Sequence, residues 1–362
     1  MSTSDTTVSS NSDSNHNDLQ EKLDATEDIT VMCSKLELAG TERSSDLMQI
    51  ALEELGETDE KRNDSLCQFR ELISQKPHLK GCCNKDAAMR LDDPNCPHGT
   101  RFLLRFLRTH KFDVEKALNQ MESYLKMKWD CPQWHTELEP KENERFLELL
   151  ENGFIFVSPG RDKQGRKVLV VMNRQIDPTR HTSSDEMKAV MSTMETLLIM
   201  DEETQIRGLS YVFYFKNLKF SQVFIWSPTD AGKMLIGCDN NLPLRHRSVI
   251  VSDTPFGMGV VIDFGKSFLR EELKSAIQVV GDASKIKKAS NGVFDSPDIL
   301  PSDIIGDEGK YTAREMAAMW KEKVVKHGQH LRILDDLVIE QDEKEPVVET
   351  EKAPAKSWFG WR

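Results

Sequence analysis

The stretch 242-LPLRHRSVIVSDTP-255 puts two arginines around a histidine at the threshold of an apolar, β-branched run. The run reads as a buried strand, and extended backbone alternates its side chains between faces. Arg245 and Arg247 therefore point one way and His246 the other, with the arginines roughly 6.6 Å apart along the strand. That spacing suits two phosphates of one headgroup, because guanidinium forks grip phosphate bidentately where an ammonium cannot. A pair of surface arginines in salt bridges is the plain alternative. His246 facing inward is either a polar contact to a ligand or a satisfied core histidine.

Outward from this strand, apolar runs alternate with helical patterns. FIFVSPGRDKQGRKVLVVMN reads as strand, turn at Gly160 and Gly165, and strand; MKAVMSTMETLLIMDEETQ as an amphipathic helix; GLSYVFYFKNL as a strand. FSQVFIWSPTDAGKMLIGCDNN is helical on both sides of a proline break, and KSFLREELKSAIQVV reads as a further helix. Such alternation predicts an α/β fold with a mostly parallel sheet. The chain before it is all-helical in pattern. Leu47, Ile50, Leu52 and Leu55 recur at helix spacing, then Phe69, Leu72 and Ile73. In RFLLRFLRTHKFDVEKALNQMESYLKMKW, 101–129, Phe102, Leu103, Phe106 and Leu107 share one face while Arg101, Arg105 and Arg108 share another. Asp113 is placed to cap the second helix of this hairpin, with Lys116 where a capping acid would be better. The expected units are a disordered acidic segment 1–45, a helical domain 46–140, a sheet domain 141–310, a helix 311–334 and an acidic tail 335–362.

The net charge of −12 over 362 residues is a property of the ends. Residues 1–60 hold fifteen acids against three bases and residues 335–362 eight against four, so the body between is mildly basic. Acidic ends on such a body argue against a nucleic-acid partner while leaving room for local anion sites. Seven cysteines in a chain of this size read as reduced, cytosolic thiols. No apolar run approaches the roughly twenty residues of a membrane span. Cys82, Cys83, Cys96 and His98 lack a C-x-x-C spacing, so no metal site is expected. SVIVSDTPFGMGVVIDF outlines a dinucleotide turn, but Ile262 stands at the third glycine position and Pro255 removes an N–H. The expectation is a protein that is not an enzyme and carries no cofactor.

Large apolar side chains converge instead. Tyr211, Phe213 and Phe215 share a strand face, and Phe220 and Phe224 share a helix face. Met234, Leu235, Cys238, Leu242 and Leu244 add a wall; each, taken alone, also reads as plain core. PFGMGVVIDFGKSFLREELKSAIQVV reads as a lid. Gly257, Gly259 and Gly265 give it backbone freedom. Leu269, Leu273, Ala276 and Val280 form an apolar stripe beside a basic ribbon of Lys266, Arg270 and Lys274. Such a helix suits an anionic membrane, or is a solvated face offset by Glu271 and Glu272. Trp358, Phe359 and Trp361, beside Lys356 and Arg362, would insert at a membrane interface or dock a partner.

RFLLRFLRTHKFDVEKAL, EETQIRGLSYVF, FSQVF, LPLRHRSVIVSDTP, KSFLREELKSAI and FDSPDILPSDIIG occur in an order and at spacings that resemble the CRAL-TRIO (Sec14-like) lipid-binding family. The likeness is to its branch of tocopherol-transfer, clavesin and retinaldehyde-binding proteins. It covers roughly 46–310. The resemblance implies a helical domain followed by a sheet-floored lipid cage under a mobile helix. It places Phe213, Phe224, Met234, Cys238 and Leu244 in the cage wall, and Val249, Phe256, Val260 and Phe264 complete the expected lining. It also implies a phosphoinositide grip at Arg245 and Arg247. The branch draws further cations from the lid, where this chain has Glu272 and Ala276 at the matching positions, so Arg270 and Lys274 are expected to substitute; at the hairpin position stands His110, beside Lys111. Two departures bear on the ligand: Ile304 and Ile305 replace a Tyr and a Gly of the family's closing signature, and Tyr214 stands for an aspartate. The implied function is carriage of a lipophilic molecule (a tocopherol, retinoid or phospholipid) by a cytoplasmic protein peripheral on endosomal or Golgi membranes. The alternative is a phosphoinositide-binding adaptor or sensor in endosomal trafficking whose termini recruit trafficking proteins.

Overall fold

The computed structural model describes residues 45–79, 90–337 and 339. The acidic segment up to residue 44, Cys82, Cys83 and the aromatic end of the tail lie outside them. Helices α1 (Ser45–Leu55), α2 (Asp59–Ser74), α3 (Pro97–Thr109) and α4 (Val114–Asp130) form an amino-terminal helical layer, followed by α5 (Glu144–Glu151). Asp113 caps α4 as expected: its Oδ1 accepts the Lys116 N–H at 3.2 Å and its Oδ2 the Lys116 ammonium at 2.6 Å. Lys116 thus makes an ion pair where a capping acid would have bonded the backbone.

The sheet has five strands, β1 (Ile155–Val157), β2 (Lys167–Val171), β3 (Leu209–Tyr214), β4 (His246–Ser252) and β5 (Ile277–Val279), side by side in that order. β1 runs antiparallel to β2, and the other three pairings are parallel. The predicted α/β class with a mostly parallel sheet is the one observed. Between the strands lie α6 (Ser183–Met200), α7 (Glu202–Arg207), α8 (Pro228–Ile236), α9 (Met258–Lys266) and α10 (Glu271–Ala276). The chain closes with α11 (Ala313–Lys326), against α5 and β1, and α12 (Gly328–Ile333). Among the described residues no helix is long and apolar enough to cross a membrane.

Three expectations are corrected. Helix α6 is not amphipathic: Glu186, Lys188, Ser192, Thr193, Glu195 and Thr196 are buried along with its apolar residues. Partners on neighbouring elements allow this. Glu195 takes a hydrogen bond from Arg105 at 2.5 Å and another from the Tyr124 hydroxyl at 2.9 Å, and Thr193 accepts from the Trp320 indole at 3.2 Å. The predicted helix KSFLREELKSAIQVV ends at Ala276, and Ile277–Val279 extend the sheet instead, in register with Val249–Val251. Branched side chains gain more from packing on a pleated surface than from continuing a helix. Third, Cys67 is disulfide-bonded, whereas all thiols were expected reduced.

On the arginine face of the 101–129 hairpin, Arg101 is exposed but Arg105 and Arg108 are as deeply buried as the apolar face. Arg108 meets Glu57 at 2.9 Å and Glu202 at 2.6 Å, and also donates to Gln205 at 2.8 Å. With Arg105 on Glu195, these pairs join the helical layer to α6 and α7. Leaving one such charge uncompensated costs about 3–5 kcal/mol, which makes this seam a rigid mount between the helical layer and the sheet.

Candidate functional site

The two faces of the sheet are packed differently. Strand alternation and register put Val168, Val170, Ser210, Val212, Tyr214, Ile250 and Ser252 on one face, every one at most 1% exposed, with Ser248 half-buried at the start of β4 and Gln278 exposed on β5. The opposite face is equally closed at β1 but opens toward β5. There Tyr211, Val249 and Val251 keep 6–7% exposure, Phe213 and Ile277 are half-buried, and Val279 is 47% exposed. A register shift between Leu209 and Ser210 leaves Arg247 unpaired as a bulge, which puts His246 on the same side as Tyr211. The Tyr211 hydroxyl and His246 Nδ1 are 2.6 Å apart, and His246 Nε2 lies 3.1 Å from the Cys238 carbonyl. Burial pushes the imidazole pKa down to about 4, so the ring is neutral at pH 7. With Nδ1 accepting from the tyrosine and Nε2–H donating to the carbonyl, His246 is fully bonded. It ties β3 to the π-helical turn Gly237–Asn241 that ends α8. The open half of the sheet therefore faces α8.

Helix α9 leans on α8 from outside. A Cβ at Gly265 would stand 3.5 Å from Leu235, and one at Gly232 would stand 2.8 Å from Phe268, so small residues set the approach. Of the nine residues MGVVIDFGK only Met258 is buried. Val260 is 62% and Phe256, just ahead of the helix, 102% exposed. The chain enters α9 through left-handed backbone at Asp253 (φ 55°) and Gly257 (φ 85°). At its far end Arg270 is latched to the buried Asp239 of the π turn. The backbone N–H donates to Oδ2 at 2.7 Å, and Nε and Nη2 donate to Oδ1 at 3.1 and 2.8 Å. That capture holds Arg270 extended (φ −67°, ψ 155°) as the cap of α10. Lys266, Arg270 and Lys274 consequently do not form one helical ribbon.

The predicted lining residues divide by position. Leu244 and Val249 are buried, while Phe213, Met234, Cys238 and Phe264 are half-buried around the open sheet half, α8 and α9. Phe224 is 48% exposed and stacks on Phe220 with ring centroids 5.9 Å apart; Phe256 and Val260 stand at the outer rim. A small cavity of about 10 Å³ at His98, Arg105 and His330 is water-sized and shares no residue with this set. Behind the site, Glu186 of α6 accepts from the Trp226 indole at 2.8 Å and from Asn173 at 3.3 Å. Burial raises its pKa to about 7.

The predicted cations fall into three separate groups, each held by an acid. Arg245 Nη1 lies 3.0 Å from Glu54 Oε2, and Arg247 Nη2 donates to the same oxygen. Both also cap the last carbonyls of α7: Arg245 donates to Ile206 O, and Arg247 Nε to Arg207 O at 2.8 Å. Cations at a helix carboxyl end are favourable, so the pair has a structural role of its own. Burial, then the Arg247 charge, lowers the Arg245 pKa to about 10. Arg270 belongs to Asp239, and Lys274 to Glu271 at 2.6 Å. Sequence reasoning missed Glu54, Asp239 and Glu186, since nothing local marks an acid whose partner lies far along the chain.

Residues 151–293 match the CRAL/TRIO domain and residues 66–123 the CRAL/TRIO N-terminal domain. An alpha-tocopherol transfer protein-like protein of Mus musculus is 28% identical over 231 residues, 64% of this chain and 62% of that protein; the Homo sapiens protein of that name has the same identity and coverage. This chain thus spans less than two thirds of the length of these relatives. Clavesin-1 of Xenopus laevis is 25% identical over 253 residues, 70% of each chain. The crystal structure of Sfh5 superposes with a TM-score of 0.48 at 13% identity, over 72% of this chain and 92% of that one.

Proposed function

We propose, from the premise that the chain carries a CRAL/TRIO domain behind its N-terminal companion domain, that it is a lipid-binding and transfer protein. A small lipophilic molecule is held between the open half of the sheet, α8 and α9, and the protein docks on phosphoinositide-containing membranes through Arg245 and Arg247. The single observation that carries the pocket is the opening of one sheet face along α8 toward β5, where the apolar side chains of Phe213 and Ile277 are half-buried and Val279 is exposed. An apolar floor beneath an apolar helix stabilises a guest by about 0.8 kcal/mol for each CH₂ buried. At a membrane the guest loses little by leaving, so lid opening there sets release. The first relatives' name points to cargo of the tocopherol class.

The test is native mass spectrometry of the purified protein with and without organic extraction, followed by transfer of a fluorescent tocopherol analogue between vesicles. A bound lipid that extraction removes, with transfer faster than spontaneous exchange, is expected. Absence of both overturns the reading. Membrane association with cargo binding but no transfer would favour the adaptor or sensor instead.

A further inference from the structure

We propose that Arg166, Arg245 and Arg247 form a single polyanion site whose resident carboxylate, Glu54 of α1, is displaced by a phosphorylated inositol headgroup. This rests on the reading that the arginine pair meets a phosphoinositide, and adds a third cation and an internal competitor.

Arg245 and Arg247 meet at Glu54 where β4 begins and α7 ends, and Arg166 stands at the same end of the sheet, immediately before β2. Arg245 and Arg247 share one oxygen of Glu54. Arg166, half-buried immediately before β2, has no ion pair among the described residues. Burial lowers its pKa; Asp162 and Glu54 oppose that shift and Arg247 reinforces it, so it lies within the field of this same cluster. Asp162 is committed elsewhere: its Oδ1 accepts the N–H groups of Gln164 and Arg166, both at 2.9 Å, in the turn before β2. Three cations thus face two carboxylates, Glu54 and Asp162, of which only Glu54 pairs with Arg245 and Arg247. A phosphomonoester brings about −1.5 to −2 charges and three acceptor oxygens, which matches the excess better than Glu54 does.

The competitor is built to leave. Of the eleven residues of α1 only Ala51 and Leu55 are buried, and Met48 and Leu52 are exposed. Immediately after it, Gly56 takes left-handed backbone (φ 64°), and Glu57 is fixed on Arg108. Displacement of α1 would turn about Gly56 and give up its packing on α7, while Glu57 stays on Arg108. A headgroup entering the site therefore exchanges the two ion pairs of Glu54 for several charge-assisted contacts and releases α1.

The experiment compares full-length wild type, Glu54→Gln and Arg166→Ala on phosphatidylcholine vesicles. One set carries phosphatidylinositol bisphosphate, a second carries phosphatidylserine at matched charge, and soluble inositol trisphosphate is the competitor. E54Q should bind the phosphoinositide vesicles roughly threefold tighter and R166A roughly tenfold weaker. Amide exchange across residues 45–55 should rise when the headgroup is added. Unchanged E54Q and R166A on vesicles that wild type still prefers over phosphatidylserine would overturn this inference alone. Wild type without that preference would overturn the underlying reading. An equal rise of E54Q on both vesicle types, or failure of inositol trisphosphate to compete, would reduce the site to a general basic surface and overturn the headgroup claim.

Discussion

At the residue scale, environment rather than residue type decides what a charged group does. Glu186 looks like any acid of a surface helix, yet it is buried beneath the Trp226 indole. Its folded pKa of about 7 lies above the ordinary 4.5, so the folded chain keeps a proton that the unfolded chain has released. Stability contributed by that proton is therefore present below pH 4.5 and lost as pH rises through 7. Glu186→Gln mimics the protonated form and still accepts from the indole. It should melt at a higher temperature than wild type at pH 8, with the difference vanishing by pH 5. An equal difference at both pH values would contradict the assignment. Arg105 and Arg108 teach the same lesson. Their helical spacing is plain in the chain, but spacing is silent on whether the face they share meets water or Glu195 and Glu202.

At the element scale, α9 is apolar in composition and mostly unburied, the pattern of a helix whose packing partner is a guest or a membrane. Val260 stands outward, so Val260→Asp should change folding stability by less than about 0.5 kcal/mol while markedly weakening vesicle association and slowing transfer. Undiminished association, measured by co-sedimentation, would remove α9 from the docking surface. The glycines and the apolar run made this element visible in the sequence. Its end was not visible, because the latch of Arg270 on Asp239 joins two segments 31 residues apart. No periodicity within KSFLREELKSAIQVV reports a carboxylate approaching from another turn. The shift from helix to β5 has the same origin: the free edge of β4 offers Ile277 and Val279 partners that a helix would not.

At the scale of the whole molecule, burial of neutral imidazoles couples folding to acid. His135 sits at about 3, His246 and His330 at about 4, and burial lowers His98 and His110 in the same direction. Unfolded histidines titrate near 6.5, so on acidification from that pH the unfolded chain takes up protons the folded chain refuses. Stability is then lost progressively toward pH 4, with Glu186 offsetting part of the loss. The urea midpoint should fall steadily between pH 7 and 5; a flat profile would mean these rings are solvated. The sequence by itself determined the layers. The order of helical and extended patterns, the capped hairpin, the arginine pair and the apolar run of α9 depend on neighbours in the chain, whose periodicity and spacing are local properties. Only the tertiary structure decided which acid holds each cation, that Arg247 bulges and turns His246 toward Tyr211, and that one half of one sheet face stays open. Those outcomes depend on contacts between distant segments, where burial and charge are set by what happens to lie opposite.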